Sequence, residues 1–67
     1  MPLGLLEAFA LAEEFGAKAL TTDEILWMAG ARRRKGCRTI RGTLTAEDIR
    51  RVRELGERCK KWKEEHR

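Results

Sequence analysis

The chain has 67 residues, 39% of them charged and 42% hydrophobic, and a net charge of +4 at pH 7. That length allows one domain, and a domain of this size buries only roughly 60% of its unfolded surface, so a second copy or a larger partner would relieve a thin core. No apolar run approaches the ~20 residues of a membrane span, and Met1-Pro2-Leu3 lacks the basic start of a signal peptide, so a soluble, cytoplasmic protein without membrane contact is expected.

The charge is unevenly spread. Residues 1–31 hold Glu7, Glu13, Glu14, Asp23 and Glu24 against Lys18, a net −4. Residues 32–67 hold 14 Lys and Arg against six acids, a net +8. Such asymmetry points to a half that faces a polyanion.

Pro2 suits a first helical turn. Leu5, Phe9 and Ala12 then share one face with Leu6 beside them, while Glu7, Glu13 and Glu14 lie off it. The pattern predicts a helix over about 3–15, weakened at Gly4 and stopped by Gly16. Leu20-Thr21-Thr22-Asp23-Glu24-Ile25 follows. Thr21 as N-cap and Glu24 three residues on form a capping box, and Leu20 with Ile25 forms a hydrophobic staple. A second helix is predicted over 22–29, ended by Gly30. Trp27 and Met28 are neighbours, so one must face away from the core, and Trp27 is the one expected outside.

The basic segment, 31–43, comes next. Arg32, Arg33, Arg34, Lys35, Arg38 and Arg41 place six of the 15 cationic residues within ten positions, with no acid among them. Between Gly36 and Gly42, β-branched Thr39 and Ile40 suit a short strand. Part of a short helix with Cys37 and Ile40 inward suits the residues equally.

Leu44-Thr45-Ala46-Glu47-Asp48-Ile49 repeats the earlier helix start position for position, with Thr45 as cap and Asp48 in the box. It opens a helix predicted over 46–64. Ile49, Val52, Leu55, Cys59, Trp62 and His66 make one stripe, a candidate dimer face. Glu47–Arg51, Glu54–Arg58 and Glu57–Lys61 stand at favourable i,i+4 spacing. Gly56, mid-helix, costs about 1 kcal/mol against alanine; close packing against another backbone would explain it, with a kink as the rival. Beyond Cys59 the helix is expected to project and offer Trp62 to a partner. The chain thus reads as an all-α, small three-helix domain, with a short β wing before the last helix as a variant.

Catalysis finds little support. The one histidine, His66, has no nucleophile or acid that spacing places beside it, and helix-start chemistry accounts for the acid pairs Asp23-Glu24 and Glu47-Asp48. No C-x-x-C occurs, and Cys59 and His66 lie two helical turns apart, so neither metal nor cofactor is expected. Cys37 and Cys59 read as reduced thiols acting as small hydrophobes. The basic stretch remains. Arg and Lys neutralise phosphates, and Arg also reads guanine edges.

Thr22 through Ala31 followed by an Arg-rich segment resembles a helix-turn-helix opening, with Gly30 in the turn. Leu44 through Leu55 resembles the helix after the wing in MerR-like and phage excisionase-like winged helix-turn-helix regulators. The resemblance spans about residues 20–56. It implies major-groove entry by residues 31–41, with Cys37–Arg41 as recognition helix or wing, and phosphate contacts from Arg50, Arg51 and Arg53.

The expected function is therefore a small DNA-binding protein of transcriptional regulatory or phage type, not an enzyme, with RNA kept beside DNA as the polyanion. Its contacts would be Arg32, Arg33, Arg34, Lys35, Arg38, Arg41, Arg50, Arg51 and Arg53. The rival expectation is a small inhibitor or adaptor that docks on a larger nucleic-acid-handling protein. For that partner, or for a homodimer, Trp27, Trp62, Leu55 and Cys59 are the candidate contacts.

Overall fold

The computed structural model describes residues 3–36 and 44–67. It consists of three helices, α1 Leu5–Ala19, α2 Thr22–Gly36 and α3 Ala46–Glu65, with no strand among the described residues. The all-α expectation holds. The segment expected as a wing, with Cys37, Arg38 and Arg41, lies outside the described residues.

Two helix starts form as the residues dictate. At α2 the Thr21 backbone N–H donates to Glu24 Oε1 at 3.0 Å, and the Glu24 N–H donates to Thr21 Oγ1 at 3.2 Å. At α3 the Thr45 N–H donates to Asp48 Oδ2 at 3.2 Å, and the Asp48 N–H donates to Thr45 Oγ1 at 3.1 Å. Each box satisfies two backbone donors that a bare helix end leaves orphaned. Leu20 is buried, and Ile25 and Leu44 pack on the same core.

Two helix ends depart from expectation. α1 runs through Gly16 to Ala19, and α2 runs through Gly30 to Gly36. No described glycine has a positive φ, so neither adopts the left-handed stop. Gly16 is buried, and a Cβ there would stand 3.6 Å from Ile25 Cγ1, an ordinary contact. Phe15 and Ala19 pack on the core and carry the helix one turn further. In α2 the fully buried Ala31 draws the chain past Gly30. Arg33, Arg34 and Lys35 in its last turn complement the negative end of the helix dipole.

Side-chain pairs fix the directions. Arg58 of α3 pairs with Glu24 of α2, and Arg34 of α2 with Asp48 of α3, so these helices are antiparallel. Arg32 pairs with Glu13 and Lys35 lies over Phe9, so α2 is also antiparallel to α1. α1 and α3 are parallel: Ala8 meets Gly56, and seven residues on Phe15 meets Trp62 at 5.6 Å between ring centroids. The core holds Phe9, Leu20, Met28, Ala31, Val52, Leu55 and Cys59.

Gly56 marks a close approach of α3 to α1. A Cβ there would fall 2.5 Å from Ala8 Cβ and 2.7 Å from Ala8 Cα. Close packing, the first of the two accounts of this glycine, is what the structure shows. The i,i+4 pairs expected along α3 do not form: Arg58 turns across to Glu24 at 2.5 Å, and Arg51 lies over Trp27.

Candidate nucleic-acid interface

The topology gathers the start of α1, the end of α2 and the start of α3 at one end of the bundle. Arg34 and Arg51 meet there over Trp27, while Arg32 and Arg33 line a hollow between α1 and α2, and Arg50 and Arg53 line a groove beside Leu3. Their surroundings differ. Arg32 is engaged with Glu13. Arg34 sits 3.4 Å from Asp48 Oδ2 and is half-buried. These two tie helices together as much as they offer charge.

Trp27 lies in the seam between α2 and α3, half-buried against the core. The Arg51 guanidinium stands over its ring at 4.4 Å from the centroid, and that of Arg34 at 5.9 Å, both in reach of the ring's negative face. The tryptophan expected to face away is thus roofed by two arginines. Leu26, its neighbour, is the exposed one, at 65%.

Arg33, Lys35, Arg50, Arg51 and Arg53 are exposed and form no ion pair among the described residues. Arg50 and Arg53 line a groove of about 460 Å³ beside Leu3 and Ile49, with Glu54 and Glu57 on its far side. Arg38 and Arg41, the remaining members of the expected set, lie outside the described residues. The turn that the helix-turn-helix resemblance places at Gly30 does not form, because residues 22–36 are one helix.

The expected partner contacts fare differently from one another. Leu55 (4% exposed) and Cys59 (0%) belong to the core, so the Ile49–Trp62 stripe is the inner face of α3 and not a free dimer surface. Trp62 is half-buried, against Phe15 on one side and stacked on His66 at 4.3 Å on the other. It does not project past the bundle: Phe15 covers one side, and Lys18, in the turn of α1 beyond Gly16, lies over its ring at 5.5 Å from the centroid. His66 Nδ1 lies 2.9 Å from the Trp62 carbonyl oxygen.

Among the described residues, three groups titrate away from their ordinary values. The Thr21 backbone N–H, reinforced by Arg58, holds the Glu24 carboxyl below the usual range against an opposing effect of burial. The Thr45 backbone N–H, with help from Arg34 and Arg51, does the same for Asp48. Burial pushes the Cys59 thiol up. Each acid serves a cap and a cross-helix pair at once, a use that local spacing cannot reveal. Among the described residues no three His, Cys, Asp or Glu side chains stand close enough to hold a metal ion. No described helix is long and apolar enough to cross a membrane.

The chain matches no protein-family model, no curated protein and no solved structure.

Proposed function

We propose that the protein is a small DNA-binding regulatory protein that grips phosphates with one end of its bundle. The observation that carries this is the position of Arg50, Arg51 and Arg53. Helix electrostatics accounts for Arg33, Arg34 and Lys35, which sit at the negative end of α2. It gives no account of three cations in the turns just after the start of α3, where the dipole no longer acts. With Arg33 and Lys35 they make five exposed cations without ion-pair partners among the described residues, flanking a link that carries Arg38 and Arg41.

The test is fluorescence anisotropy with duplex and single-stranded oligonucleotides as salt is raised. About five phosphate contacts give a slope of log affinity on log salt near −4.5, and neutralising two of them reduces it by about 2. Arg50→Ala with Arg53→Ala is the variant to use, since both side chains are exposed and form no ion pair among the described residues. Absence of binding to either oligonucleotide at about 50 mM salt, or a slope unchanged in the variant, overturns the reading. A stoichiometric complex with an acidic protein that survives nuclease would move the function to the docking alternative.

A further inference from the structure

The exposed edge of α1 next to α2 carries Leu6, Ala10, Glu13 and Ala17, at spacings of four, three and four. That is the a/d rhythm of a helix–helix seam. Leu6 is 74% exposed, the most exposed large hydrophobic side chain among the described residues. Ala10 and Ala17 are also exposed, and their small side chains let another helix come close. Between Phe9 and Ala17, α1 and α2 part to leave a mainly apolar hollow of about 440 Å³, walled by Phe9, Ala12, Ala17, Ile25, Met28 and Ala29, with the Glu13–Arg32 pair along its edge. Arg33 stands at its rim.

We infer that this face binds a second copy of the chain, α1 against α1, antiparallel about a two-fold axis between Ala10 and Glu13. Leu6 and Ala17, the far wall of the hollow, lie eleven residues apart along α1, roughly 16 Å at 1.5 Å per residue. A two-fold axis midway exchanges them, so Leu6 of each copy enters the hollow beside Ala17 of the other. The same operation sets Glu13 opposite Ala10. A parallel pairing would set Leu6 on Leu6, leave both hollows unfilled and oppose Glu13 to Glu13.

Charge agrees with a second copy as occupant. Glu13 and Arg32 are paired within one copy, which leaves Glu7 and Glu14 of α1 and Arg33 on the α2 rim of the hollow without ion-pair partners among the described residues. One copy's acidic helix thus meets the other's basic rim. An isologous contact of this kind closes on itself and does not propagate into fibres. It also gives a chain of 67 residues the additional buried area that its own core lacks. The contact takes place without nucleic acid but shares Arg33 with the phosphate-binding set; Leu6→Glu and Ala17→Lys leave Arg33 in place, so failure of dimerisation is distinguishable from failure of DNA binding.

Sedimentation equilibrium without nucleic acid, under reducing conditions, is the test. The wild type is expected at twice 7.7 kDa. Leu6→Glu removes two buried leucines per dimer and is expected to weaken self-association at least about a hundredfold. Ala17→Lys, which obstructs the hollow and is neutral to the helix, is expected to give monomer too. Leu26→Glu, outside the hollow, is expected to remain dimeric. Circular dichroism checks that each variant is folded, and either of the first two suffices if the other fails to fold. A monomeric wild type at high concentration overturns the inference. So does a dimer that survives Leu6→Glu or Ala17→Lys, or one lost through Leu26→Glu alone.

Discussion

Gly56 and Gly30 are both interior helix glycines without positive φ, yet replacing each by alanine should change stability in opposite directions. Alanine gains about 1 kcal/mol over glycine in a helix interior, from lower unfolded-chain entropy and better backbone cover. At Gly30 nothing lies within 4 Å of the added Cβ, so Gly30→Ala should retain most of that gain. At Gly56 the Cβ would sit 2.5 Å from Ala8 Cβ and 2.7 Å from Ala8 Cα, against ordinary carbon contacts of about 3.5–4.0 Å. One of these atoms is backbone and cannot rotate away, so α1 and α3 must part by about 1 Å. Overpacking costs typically 1–3 kcal/mol, and an immovable neighbour places this site in the upper part of that range. The net loss for Gly56→Ala is about 1–2 kcal/mol, a melting temperature lower by about 5–15 °C, while Gly30→Ala rises by about 4–8 °C. Thermal melts and urea titrations followed by far-ultraviolet circular dichroism measure both. A Gly56→Ala protein as stable as the wild type would refute the close crossing of α1 and α3.

Two further outcomes follow from the capping acids and the buried thiol. The folded-state pKa values of Glu24 and Asp48 are lowered, so their contribution is fully present above the ordinary carboxylate range, about pH 5 and higher, and is lost as the pH falls through the folded values. The Glu24→Gln, Asp48→Asn double variant should be less stable at neutral pH and should have a flatter urea midpoint between about pH 5 and 2; parallel profiles for the two proteins would exclude this role. In a Cys37→Ser background, Cys59 should react with a thiol reagent at least about a hundredfold more slowly than in urea, because burial keeps the thiol protonated and covered. Equal rates in the two conditions would show that the core opens freely.

What the residues disclose in advance is mostly local. Thr21 with Glu24 and Thr45 with Asp48 specify where α2 and α3 begin, because a capping box is made and satisfied within four residues. Gly56 announces a close crossing, since little else tolerates that cost in the middle of a helix. The far ends of α1 and α2 were not readable from Gly16 and Gly30. A glycine is permitted in a left-handed stop but is not compelled to take it, and burial of Ala19 and Ala31 beyond each one decides otherwise. Trp27 was placed outside on adjacency with Met28 alone; Arg51, 24 positions away, covers it. The pairing of Arg58 with Glu24 spans 34 positions and leaves no trace in local spacing. The α1 seam of Leu6, Ala10, Glu13 and Ala17 is not readable from a helix stopped at Gly16, because it exists only when α1 continues to Ala19. For the basic end, composition supplied the cations, and the fold decided which are engaged: Arg32 and Arg34 form ion pairs between helices, Lys35 and Arg51 lie over aromatic rings of a neighbouring helix, and Arg33, Arg50 and Arg53 do neither among the described residues.

The meeting of Ala8 with Gly56 also has a consequence for the order of events in folding. α1 and α2 are joined through two residues and find one another quickly, but the close crossing of α1 and α3 joins residues 48 positions apart. Closing so long a loop is the entropically expensive step, and it precedes any reward from the contacts it enables. On a ribosome, the α1–α2 hairpin therefore emerges with Phe9, Met28 and Ala31 uncovered and waits for α3 to be made. Through that interval the hairpin is the species most exposed to mispairing, and the acid of α2's cap has no Arg58 to meet until the third helix arrives.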